Sequence, residues 1–200
     1  MRLARLLLVT ALLGLSAHAQ TDTGIGVIDK PLQIFLQPIS LDGVTATLDP
    51  NPDTSAFLLE VIRATYQADL ARLLTQHIAP TRLVDRKTRP SAPGWEITAR
   101  LTHIQPPSAN GQLALATTIE VVDLRLNRTL LTLNIRSGFA NEPNPPAVDD
   151  DGTVTPWNPP PPRLRRPGVA QERIDSLQTE ITLAARRAVH RLGANIRQGR

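Results

Sequence analysis

Few side chains in this sequence could carry chemistry. Three histidines, His77, His103 and His190, remain once a leader containing His18 is set aside. A zinc-type site needs three or four such ligands gathered by the fold, and nothing in this spacing requires it. Each is expected at a surface or boundary, and no metal is assigned. Acid/base hydrolysis needs two carboxylates held at a set gap. Asp85, Glu96, Glu120 and Asp123 fall on expected strands, and Asp149, Asp150 and Asp151 form an acidic run. Sheet alternation makes the strand carboxylates a solvated face, so a small periplasmic hydrolase with an unrecognised carboxylate site is an alternative reading, not the leading one.

The patterns that place a nucleophile, a phosphate or a metal are missing. There is no His-Glu-x-x-His, Walker A, dinucleotide fingerprint, calcium loop or G-x-S-x-G elbow. Ser91, Ser108, Ser137 and Ser176 have no neighbouring motif that would activate a hydroxyl. No catalytic residue and no cofactor are therefore assigned, and a non-catalytic role leads.

Binding chemistry is better represented. Nine of the 18 prolines lie between Pro143 and Pro167, including Pro159 to Pro162, with Trp157 and then Arg163, Arg165 and Arg166 among them. Proline lacks a ladder donor and favours extended backbone, which makes 140–168 an insertion outside the core. An aromatic and cationic strip that is partly ordered beforehand loses less entropy on binding. Trp157, Arg163, Arg165 and Arg166 are accordingly the candidate partner-binding residues.

The elements that position these groups follow from hydrophobic period. Leu32 to Ile39 reads as a first strand with Leu32, Ile34 and Leu36 on one side and Phe35 and Ile39 on the other. From Ala56 to Ile78, Leu58, Val61, Ile62, Leu70, Leu73, Leu74 and Ile78 recur at helical separations. Glu60, Arg63, Asp69 and Arg72 of that helix are expected in water, and Pro80 ends it. Thr81 to Arg86 is a short strand. Trp95–Ile104, Gln112–Leu124 and Thr129–Phe139 alternate at period two and form an antiparallel meander. A second amphipathic helix follows Gly168, with Ile174, Leu177, Ile181, Ala184, Ala185, Ala188, Val189 and Leu192 along its stripe.

These elements predict an α+β fold, an antiparallel or mixed sheet of about four to five strands with two helices packed on one face. That arrangement lets the two stripes and one sheet face bury each other. The chain divides into a signal peptide over 1–19, a flexible leader over 20–30, and a single domain over 31–200 carrying the proline-rich insertion.

Arg2 and Arg5 precede an apolar run from Leu6 to Leu15, and Ala17-His18-Ala19 fits a small-x-small cleavage rule. A run of ten residues is about half of what a membrane-spanning helix needs. The expected location is the periplasm, or outside the cell, after cleavage near Ala19. No cysteine is present to carry a lipid, a disulfide or a thiolate metal site. With 22 basic and 18 acidic side chains, the charge is too balanced for a nucleic-acid partner. The arginines from Arg186 to Arg200 allow contact with an anionic membrane surface.

The succession of Leu32 to Ile39, the helix through Tyr66 to Ile78, the Arg82-Leu-Val-Asp-Arg86 strand and the meander resembles the curli-secretion and penicillin-binding-protein-activator lipoproteins of the bacterial envelope. Those proteins carry an anchoring cysteine that this chain lacks. The resemblance implies recruitment or assembly and no catalysis. The leading expectation is a periplasmic accessory or scaffold module that binds an envelope protein or assembly. A carrier of an apolar or anionic ligand between sheet and helices is the second alternative, with Leu58, Ile62, Leu115, Ile119 and Leu133 as the cavity lining.

Overall fold

A computed structural model describes residues 23–24, 28–85, 90, 92–106, 113–138 and 166–197. The expected signal peptide, with Trp157, Arg163 and Arg165, lies outside the described residues. Chain order is β1 (Thr23–Gly24), β2 (Ile28–Asp29), β3 (Ile34–Leu36), α1 (Pro52–His77), β4 (Thr81–Leu83), β5 (Trp95–Gln105), β6 (Ala114–Asp123), β7 (Arg128–Ser137), α2 (Gln171–Ala194) and β8 (Ile196–Arg197).

The fold is α+β. Its main sheet has the order β1-β7-β6-β5-β3-β4, in which β1 is a two-residue edge and the other five strands form a mixed sheet. The strands β5, β6 and β7 are the expected antiparallel meander. The short β3 runs parallel to both neighbours, β4 and β5, and α1 is the crossover that returns the chain to the same end before β4 begins.

Alternation decides which face is covered. On β5, Trp95, Ile97, Ala99 and Leu101 are buried, whereas Thr98, Arg100 and Thr102 are exposed. The register shifts between Leu101 and His103, leaving Thr102 as an extra residue, so Ile104 returns to the core side. Ile119 and Val121 of β6, with Leu131, Leu133 and Ile135 of β7, extend the same apolar face. Both helices cover it, and their stripes join it in one contiguous core. Phe35 is buried on the opposite side of β3 from Ile34 and Leu36, as its position in the alternation requires.

Helix α1 begins at Pro52, four residues before the apolar period does. Asn51 caps it by accepting the N–H of Asp53 at 2.9 Å and of Thr54 at 3.2 Å, and proline at the first helical position gives up a donor that would be unpaired anyway. Asp69 departs from expectation. It is 6% exposed rather than solvated, because α2 crosses over it. Thr182 Oγ1 lies 2.6 Å from Asp69 Oδ2, and Arg72 Nη2 lies 3.4 Å from Oδ1, so the carboxylate has partners where it loses water.

Two further departures concern the start of the domain. The 20–30 segment, expected as a flexible leader, contributes β1, which pairs with β7, and β2, which pairs in parallel with β8. Backbone left unpaired at the edge of β7 and after α2 provides those ladders, a cause that side-chain pattern does not report. Leu32, expected on the buried side of the first strand, is 82% exposed because the strand starts only at Ile34. Among the described residues, no helix is long and apolar enough to cross a membrane.

Candidate binding cleft

Arg166 is the one expected partner-binding residue among those described, and it is engaged by its own domain. Its guanidinium donates to the Asp53 carbonyl, lies 3.9 Å from the Asp53 carboxylate and sits 5.8 Å from the centre of the Phe57 ring. The last residue before Pro167-Gly168 is thereby laid on the first turn of α1.

Residues considered for catalysis do not converge. His77, His103 and His190 are all exposed, at the end of α1, on the β5 bulge and on α2. Among the described residues, no three histidines or carboxylates stand close enough to hold a metal ion. Glu96 of β5 accepts from Gln37, the residue after β3, and Glu120 accepts from Thr129 at 2.8 Å across β6 and β7. Asp123 Oδ1 accepts the backbone N–H groups of Arg125 at 2.8 Å and Leu126 at 2.9 Å. Each of these carboxylates is tied into strand or turn structure. Leu58, Ile62, Leu115, Ile119 and Leu133, the expected lining of a ligand cavity, belong to the contiguous core with at most 1% exposure.

Tyr66 is fully buried on α1, with its hydroxyl facing Thr117 of β6 but no well-formed hydrogen bond between them. Burial pushes its phenol up to about 12, against a smaller opposing effect of Thr117. Its ring belongs to the core.

A cleft of about 500 Å³ opens at the other end of the meander, where β5 begins and β6 turns into β7. Ile28, Trp95 and Leu130, all buried, form its apolar floor. One wall is the segment Lys30-Pro-Leu32 and the other is the β6–β7 turn. Local chemistry shapes that turn. Asp123 pairs with both Trp95 and Arg128 in register, and its carboxylate gathers the next two useful N–H groups while Asn127 takes a left-handed φ of 48°.

The turn consequently holds Leu126 out at 45% exposure, flanked by exposed Arg125 and Arg128. Gly94 lets the opposite lip close up. A Cβ at this position would lie 2.5 Å from the Gln33 carbonyl oxygen. The close approach is fixed by Trp95 N–H donating to Gln33 at 3.0 Å and Leu124 N–H donating to Gly94 at 3.0 Å.

In sequence the 125–128 stretch reads as a plain connection between two strands, so strand alternation does not indicate this cleft. Its signal was an apolar residue, Leu126, between two arginines at a hairpin tip, a place that normally takes polar residues.

No protein-family model and no curated protein matches the chain. Among solved structures, the PelC dodecamer from Paraburkholderia phytofirmans is similar at 9% identity and a TM-score of 0.43, covering 90% of this chain and 98% of that one. The hypothetical protein CT253 from Chlamydia trachomatis is similar at 13% identity and a TM-score of 0.41, covering 80% and 95%.

Proposed function

We propose that this protein is a non-catalytic accessory module that recruits a component of the cell envelope through the cleft at the end of its sheet. One observation carries this reading. Among the described residues three large apolar side chains are exposed, Leu32, Leu83 and Leu126, and two of them, Leu32 and Leu126, stand around one cleft with Lys30, Arg125 and Arg128, while the stripes of both helices close on the sheet. Exposed leucines that share a rim with cations mark contact surfaces more often than single scattered apolar residues do. The export signal read from residues 1–19 supports a periplasmic site of action.

Photo-cross-linking tests the proposal directly. A photoreactive side chain placed at Leu126 should capture a discrete envelope component, and the same group at exposed Arg100 on the outer sheet face should not. Equal capture from both positions, or none from Leu126, would overturn it. Removing 140–165 from the same chain measures what Trp157, Arg163 and Arg165 add. Unchanged capture would take the proline-rich insertion out of the proposal.

A further inference from the structure

We infer that the cleft takes an anionic amphiphile, its apolar part lying against Leu32, Leu126 and the Trp95 floor and its anionic head meeting Lys30, Arg125 and Arg128. The inference rests on the cleft being the working surface of the protein, and adds the chemistry of what is recognised there.

Three features of the site select this class. The first is volume: about 500 Å³ lies within the range of small-ligand sites and is more than a flat contact would need. The second is the pairing of surfaces. Ile28, Trp95 and Leu130 already exclude water beneath the cleft, while Leu32 at 82% and Leu126 at 45% exposure have apolar area left to bury. Covering such area is favourable at roughly 25 cal/mol per Å², so an occupant with an apolar segment is preferred over a purely polar ion.

The third feature is the sign of the charge. Lys30, Arg125 and Arg128 outnumber the two lining carboxylates, Asp29 and Asp123. Those carboxylates are also spoken for. Asp123 holds the β6–β7 turn together, and Asp29 has an interaction of its own. The cations are exposed and sit over a floor of low polarity, which strengthens their attraction for an anion relative to a site open to water on all sides. Arginine pairs also suit phosphate and carboxylate heads through two-pronged hydrogen bonding.

Dodecyl phosphate, kept below its micelle concentration and titrated into the full chain, is the probe. With Trp157 replaced by Phe, the emission of Trp95 in the cleft floor reports binding. Saturable single-site binding is expected, weaker by roughly tenfold or more in the Arg125→Glu/Arg128→Glu double variant and in Leu126→Asp, and weaker at high salt. These substitutions are at exposed positions, and circular dichroism checks that each variant keeps its fold. Dodecyltrimethylammonium, with the same tail and the opposite charge, should not bind.

Vesicles of equimolar phosphatidylglycerol and phosphatidylcholine, beside vesicles of phosphatidylcholine alone, separate the two sources of such a ligand. Sedimentation with the anionic vesicles only would make it a bilayer lipid, and binding of the monomer without sedimentation would make it a free amphiphile. Either result supports the inference. Indifference to both the anionic probe and the anionic vesicles, equal binding of the cationic amphiphile, or binding unchanged by the substitutions would overturn it. If the photoreactive group at Leu126 still captures an envelope component under those outcomes, recruitment stands and the amphiphile falls. Loss of both removes both.

Discussion

Thr182 of α2 and the buried carboxylate of Asp69 on α1 are 2.6 Å apart, and this contact joins the two helices. A carboxylate shielded from water needs donors, and Arg72 at 3.4 Å supplies only a long one. Thr182→Val keeps the shape and removes the hydroxyl, and should destabilise the protein by about 1.5–3 kcal/mol in urea unfolding. Combining it with Asp69→Asn in a double-mutant cycle should recover part of that cost. Strict additivity would show that the contact couples nothing.

Tyr66 makes the protein sensitive to alkali. Its folded-state pKa of about 12 is above the ordinary value of 10.0, so burial favours the neutral phenol. The associated stability is fully present below pH 10, declines as the unfolded chain ionises first, and is lost once pH passes the folded value. A loss on the order of 2–3 kcal/mol across that window is expected from this group. Tyr66→Phe should abolish that component while changing stability at neutral pH by less than about 1 kcal/mol, since the hydroxyl has no well-formed partner to lose. Unfolding curves from pH 8 to 12 provide the comparison.

Arg173 ties the start of α2 to the loop before α1, donating to Asp49 Oδ2 at 2.6 Å and to the Leu48 carbonyl at 2.6 Å. The Arg173 hydrogen bond and then the Asn51 N–H hold the Asp49 carboxyl below its ordinary 3.8. The contribution is therefore present above that ordinary value and lost as pH falls through the lowered one. Arg173→Met should reduce amide protection at Leu48 and Asn51 several-fold at neutral pH, and acid should bring the wild type to the same state. Because the pair lies at the surface, global stability should hardly move.

Gly94 tests how the cleft is built. A Cβ there would meet the Gln33 carbonyl oxygen at 2.5 Å and the Phe35 ring at 3.2 Å, at a φ of 157° that side chains rarely adopt. Gly94→Ala should cost about 2–4 kcal/mol. Backbone must shift to admit the methyl, so amide protection at Trp95 and Leu124 should fall before that of the central meander. Unchanged protection at both would show that the lip does not depend on the glycine.

Period-two alternation was enough to locate β5, β6 and β7 and their buried residues, and the three- and four-residue recurrence did the same for both helices. Burial is a property of a face, and a face repeats along the chain. Leu32 and Asp69 broke from that reading for different reasons. Leu32 fits its local period, but where β3 begins depends on partners far away in sequence, whereas Asp69 sits at stripe spacing between Ile62 and Leu73 and only its charge argues for water. Pattern also said nothing of β1, β2 and β8, because two-residue ladders are set by which backbone groups happen to be left over at an edge.

The amino-acid sequence alone thus determined an α+β class, a three-stranded meander and two striped helices, since apolar spacing obliges those segments to hide one side from water. Tertiary structure decided the parallel placement of β3 between β4 and β5, the burial of Asp69 under α2, and the meeting of Lys30 and Leu32 with Arg125, Leu126 and Arg128 around one cleft. Those last residues are more than ninety positions apart at their widest, and no periodicity links them. They become neighbours because β3 pairs with β5 at Ile34 and Trp95, and β5 with β6 at Trp95 and Asp123, which brings the entry to β3 beside the β6–β7 hairpin tip.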